Sequence, residues 1–107
     1  MGSEGQARYA AITEALANQP GVSRSGLKGF GAGGLMVQGR LFAMLRHDDL
    51  LLKLPSARVA ALITCGDGKP FDAGKGRPMK EWVLATPAAA ERWLALAEEA
   101  MGFVAGG

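Results

Sequence analysis

The spacing of apolar positions changes several times along the chain, and each change predicts an element. Tyr9, Ile12 and Leu16 recur at helical spacing among alanines, so residues 4–18 read as a helix with one buried face. Ser3-Glu4-Gly5-Gln6 fits a capping box at its start, and Asn18-Gln19-Pro20-Gly21 ends it. Val22 to Ser25 reads as a short edge strand. Leu35–Gln38, Leu41–Arg46 and Leu50–Leu54 read as three further strands, with a tight hairpin turn at Gly39-Arg40 and a second turn at His47-Asp48-Asp49. Together the three make an antiparallel meander.

Pro55 suits the first position of a short helix whose inner face is Val59, Leu62 and Ile63, ending near Gly66. Met79–Ala85 reads as another strand, with Trp82 and Leu84 on one face and Val83 and Ala85 on the other. Thr86 is placed to cap a last helix that begins at Pro87. That helix turns Trp93, Leu96, Ala97, Ala100 and Val104 inward, with Leu94 and Met101 broadening the stripe. Glu91, Arg92, Ala95, Glu98, Glu99 and Gly102 form its wetter side. The expected fold is a single α+β domain over residues 1–107. It holds an antiparallel sheet, the meander plus further strand or strands, and three helices, with residues 1–3 and 105–107 frayed.

The meander is apolar on both faces. Leu41, Ala43 and Leu45 alternate with Phe42 and Met44, and Leu50-Leu51-Leu52 is apolar throughout. A sheet with one wet face alternates apolar and polar positions, so both faces are expected to be covered. Helices account for one. A second subunit is the expected cover for the other, which makes a homodimer the expected assembly.

Composition narrows the class. The chain has 107 residues, 49% of them apolar, with 16 glycines, enough for one modest core. No apolar run approaches the ~18 residues of a membrane span, and Met1–Gln6 lacks the profile of a signal peptide. The single cysteine, Cys65, excludes an internal disulfide and a multi-cysteine metal site. A reducing cytoplasm is the expected setting. The net charge is only +2, but Arg24–Lys80 carries ten Lys/Arg against four Asp/Glu while both ends are acidic. Either the ends pair with the middle across the surface, or the middle is a patch for phosphate or an acidic partner.

Candidate chemistry is sparse. The glycine-rich stretch Gly26–Gly34 leads into a strand rather than a helix and lacks a GK[ST] ending, so a phosphate-loop reading is disfavoured. A turn with Phe30 tucked into the core is the simpler account. His47 beside Asp48 and Asp49 reads as a solvated turn, since no other histidine is present to complete a metal site. Cys65 falls at a helix C-terminus, where the dipole disfavours a thiolate. No catalytic residue, cofactor site or metal site is assigned, and the chain is expected not to be an enzyme.

The most unusual stretch is Gly66–Ala85, with six glycine or proline residues, three lysines and one arginine in twenty positions. Lys75, Arg77 and Lys80 are the candidate anion- or partner-binding residues. Glycine on either side frees main-chain N–H groups to converge on an anion, and Arg77 can grip a phosphate or carboxylate with two hydrogen bonds. The alternative is structural: these cations pair with Asp72, Glu81 or the acidic last helix.

Lys53-Leu54-Pro55, Pro70-Phe71-Asp72 and Gly76-Arg77-Pro78-Met79-Lys80-Glu81-Trp82-Val83 resemble the signature of the TfoX (Sxy) N-terminal domain family. Gly39-Arg40-Leu41-Phe42-Ala43-Met44-Leu45 fits its G-[KR]-x-F-A strand, and its K-M-F-G element reads here Lys28-Gly29-Phe30-Gly31. The resemblance covers nearly the whole chain as a single-domain member. It implies an α+β fold similar to type III secretion chaperones and a role like that of bacterial competence regulators. The expected function is a non-enzymatic regulatory or protein-interaction module. The alternative is a small-anion or nucleotide-binding domain, enzymatic or not, built on the Gly74–Lys80 loop. Self-association or a protein partner is expected, direct nucleic-acid binding is left open, and no membrane association is expected.

Overall fold

The computed structural model describes residues 4–24, 33–46, 48–72 and 79–106. Three helices and a six-stranded antiparallel sheet make an α+β domain. The strands are β1 (Val22–Arg24), β2 (Leu35–Val37), β3 (Arg40–Arg46), β4 (Asp49–Lys53), β5 (Gly68–Pro70) and β6 (Trp82–Ala85), in the spatial order β1-β2-β3-β4-β6-β5. The helices are α1 (Glu4–Leu16), α2 (Ser56–Cys65) and α3 (Trp93–Gly106). The predicted meander is the centre of the sheet, β1 is an edge strand as expected, and β6 joins the meander against β4.

All three helices lie on one face of the sheet. Tyr9, Ile12 and Leu16 of α1 and Val59 and Leu62 of α2 are buried there with Trp93, Leu96, Ala97, Ala100 and Val104 of α3. These are the inward stripes read from the sequence. Leu94 departs from that reading: it is 41% exposed, because it lies one position round the helix from the buried face. Ala105 and Gly106, expected to fray, are helical. The other expected frayed residues, 1–3 and 107, lie outside the described residues, as do Ser3 of the capping box and Phe30.

Three local expectations are corrected. The hairpin turn is Gln38-Gly39, one residue earlier than Gly39-Arg40, since Val37 pairs with Arg40. Both turn residues have positive φ, +52° and +78°, the geometry that follows the twist of a two-residue hairpin. Gln38 is held in this unfavourable region in part because its N–H donates to the Gly21 carbonyl at 3.0 Å. Next, β3 carries a bulge: Leu35 pairs with Ala43 but Met36 with Leu41, leaving Phe42 as the extra residue. The alternation therefore breaks there. Phe42 and Ala43 both enter the helix-covered core, while Leu41 and Met44 belong to the opposite face. Third, a 3₁₀ segment, Pro87–Arg92, precedes α3, and the Thr86 side chain makes no capping hydrogen bond. The Thr86 hydroxyl is directed instead at the Asp67 carbonyl, 3.4 Å away, which also accepts the Thr86 N–H at 3.0 Å.

The second face of the sheet is covered by the chain itself. Met44, Leu51 and Trp82 form a small apolar cluster closed by Phe71, with Leu41, Met79 and Leu84 packed around it. Phe71 follows β5 directly and is 2% exposed. The uncovered apolar face on which a homodimer was expected is thus occupied within one chain. Among the described residues Leu94 is the one large exposed hydrophobic.

Strand β5, which no apolar alternation marks, fits the sheet tightly. A Cβ on Gly68 would stand 2.7 Å from Val83 Cγ2 and 3.2 Å from Leu62 Cβ. Both neighbours are buried, so neither swings clear. Gly68→Ala is expected to cost about 1–3 kcal/mol of stability through overpacking. Urea unfolding checks this, and an unchanged midpoint would show that the β5–α2 contact is loose.

Candidate functional site

Of the candidate residues from the sequence, Lys75 and Arg77 lie outside the described residues. Lys80 is exposed in the turn before β6. Met79 N–H donates to the Phe71 carbonyl at 2.8 Å, so the described residues on either side meet at one point. That point is on the second sheet face, beside Phe71 and Trp82. Glu81 faces Lys53 at 3.8 Å.

The same face carries cations that the sequence reading did not single out. The Arg46 guanidinium lies over the Phe71 ring, 5.4 Å from its centroid, and the Lys53 ammonium lies 5.4 Å from the Trp82 centroid. Stacking of this kind holds a long side chain in place. Lys69 Nζ is 2.8 Å from Asp49 Oδ2. Asp49 is the cross-strand neighbour of Arg46, but its carboxylate is engaged by Lys69. Among the described residues, no carboxylate lies within ion-pair reach of Arg46. The signal was available in the strands: Arg46 is two positions from Met44, and Lys53 two from Leu51, so each shares a face with a member of the second cluster.

Other described ionic groups tie elements together. Arg58 on α2 donates two hydrogen bonds to Glu99 on α3, at 2.9 and 3.0 Å, and this carboxylate contact raises its pKa. Arg92 pairs with Asp67. The Gly33 carbonyl accepts from the Tyr9 hydroxyl at 2.9 Å and from Arg24 Nε and Nη2 at 3.2 and 2.9 Å. Burial pushes the Tyr9 phenol above its usual 10.0, with the Arg24 charge opposing the shift. This latch holds the end of the glycine-rich stretch against α1 and β1.

Among the described residues no group of three His, Cys, Asp or Glu could hold a metal ion. Asp48 is exposed and Asp49 is paired with Lys69; His47 lies outside the described residues. Cys65 is exposed, its thiol directed at the Leu62 carbonyl at 3.4 Å. Two clefts lie among the described residues. One, of about 150 Å³, is lined by α1 and the start of α3, including Ile12 and Leu94. The other, of about 180 Å³, lies between α1 and β1, against Thr13 and Val22. Both are smaller than the ~300 Å³ at which small-molecule sites usually begin. No described helix is long and apolar enough to cross a membrane.

Comparison with protein-family models, with curated proteins and with solved structures returns no match to this chain.

Proposed function

We propose that the chain is a non-enzymatic regulatory or protein-interaction module, similar to the N-terminal domain of TfoX (Sxy) competence regulators and working in the cytoplasm. The observation that supports this reading is how the fold distributes its polar groups. Every buried side chain among the described residues is apolar, while Arg46 and Lys53 are held on aromatic rings at the surface of the second sheet face. Fixed surface charge is the means by which proteins choose partners and register. Catalytic sites, in contrast, shift the pKa of groups gathered in a cleft.

A second reading draws on one further contact. Glu81 faces Lys53 rather than its described neighbour Lys80, which favours a small-anion or nucleotide site formed by Lys75, Arg77 and Lys80. A thermal-shift series with nucleotides, organic anions and inorganic phosphate separates the two. The module reading expects no saturable shift from any of them, and a specific protein captured from the organism's own extract. A saturable shift that Arg77→Ala abolishes would replace it with the anion-site reading.

A further inference from the structure

The second sheet face presents two cations whose positions are set by the fold. Arg46 ends β3 and Lys53 ends β4. Arg46 lies opposite Asp49, four residues along β4 from Lys53. At a rise of about 3.3 Å per residue, the two rows are about 13 Å apart. Each charge rests on a ring, Phe71 or Trp82, that is itself buried. Lys69 neutralises Asp49, and among the described residues no carboxylate is within ion-pair reach of the Arg46 fork. Lys53 meets Glu81 only at 3.8 Å, with both side chains open to water, a contact that a better-placed carboxylate can displace.

We propose that this face binds an extended acidic peptide, with Arg46 and Lys53 each receiving one of its carboxylates. The proposal deepens the interaction-module reading and rests on it. Three features select this ligand. The separation of the cations is too great for one phosphate or one carboxylate to bridge, so the ligand is long. Leu84, half-buried at the edge of the same cluster and opposite Leu51, offers apolar contact between the charges, which suits side chains rather than a sugar–phosphate backbone. Phe71 and Trp82 are 2% and 9% exposed and each already has a cation over its ring, so neither offers a free face for a nucleic-acid base to stack on. In an extended peptide, residues four apart span about the same 13 Å. The matching pattern is therefore an acidic residue at every fourth position with an apolar residue between.

The test uses a fluorescein-labelled peptide with glutamates four residues apart and leucines between them, followed by anisotropy at low and physiological salt. Saturable binding is expected, weakened about tenfold or more by Arg46→Gln and by Lys53→Gln, because each loses a charge-assisted contact. Arg46→Lys is expected to fall between, keeping the charge but not the fork. Arg46 is exposed, so its variants are expected to melt close to the wild type. A peptide with lysine in place of glutamate is expected not to bind. The proposal is overturned if the acidic peptide fails to bind, if Arg46→Gln binds it equally well, or if a single-stranded oligonucleotide binds more tightly with the same dependence on Arg46. Failure of the peptide together with capture of a non-acidic protein would remove this proposal and leave the module reading standing. Saturable nucleotide binding would remove both.

Discussion

Phe71→Ala is expected both to destabilise the protein and to make it self-associate. Phe71 is 2% exposed and closes the cluster of Met44, Leu51 and Trp82 on the sheet face that carries no helix. Truncating a buried phenylalanine costs about 3–5 kcal/mol through lost transfer energy and the cavity left behind. The ring is also the seat of Arg46, whose stacking is lost with it. The second consequence follows from position. Phe71 forms an outer layer over the sheet, so its removal uncovers Met44 and Leu51 instead of leaving an enclosed void. An apolar patch opened on a sheet surface seeks a second surface. Urea unfolding should show the loss of stability, and light scattering at rising concentration should show mass growth absent in the wild type. Phe71→Leu, which keeps most of the volume, should cost less than about 1.5 kcal/mol and keep the wild-type mass. A Phe71→Ala variant as stable as the wild type would mean that another segment covers this face.

The sheet is apolar on both sides, as the sequence reads, and Phe71 of the same chain packs on the second side. Periodicity reports that a position is buried but not what buries it. The helix stripes were legible because α1, α2 and α3 each repeat one apolar face over two or more turns. The pairing of Trp82 with Leu84 and of Val83 with Ala85 was legible because strand parity is strict over so short a run. Phe42 was not, since a bulge is decided by the register of the partner strand and leaves no mark on alternation in its own. Strand β5 was hidden for a similar reason. Gly68-Lys69-Pro70 has no apolar alternation, and its place depends on Gly68 fitting between Val83 and Leu62, a tertiary requirement.

The candidate site divides along the same line. The concentration of glycine, proline and cations in residues 66–85 drew attention to Lys75, Arg77 and Lys80. The fold roots that stretch at Phe71 and Met79 and so brings its base to the face that carries Arg46 and Lys53. Those two cations come from strands separated from the loop in sequence. Only the antiparallel order β3-β4-β6 places them together, and only the rings of Phe71 and Trp82 fix where they stand.

Trp93→Ala is expected to be at least as destabilising as Phe71→Ala, without the change in mass. Trp93 is the first residue of α3 and is 1% exposed, in the main core between the helices and the sheet. Its indole N–H donates to the Thr86 carbonyl at 3.0 Å. Thr86 in turn ties the end of β6 to the turn at Asp67. One side chain thus fills the core and fixes the junction at which the sheet hands over to the last helix. Truncation to alanine should cost about 3–5 kcal/mol, a large share of the roughly 5–15 kcal/mol that stabilises a domain. Trp93→Phe separates the two roles. It keeps much of the ring but removes the donor, and the Thr86 carbonyl still accepts the Ala89 N–H at 2.9 Å. The lost hydrogen bond alone should therefore cost about 1 kcal/mol, and Trp93→Phe should retain more than half of the stability that Trp93→Ala loses. Because Trp93→Ala uncovers no face of the sheet, light scattering should report the wild-type mass. Denaturant midpoints near wild type for Trp93→Ala would show that α3 is docked by its other buried residues, and that the junction at Thr86 contributes little.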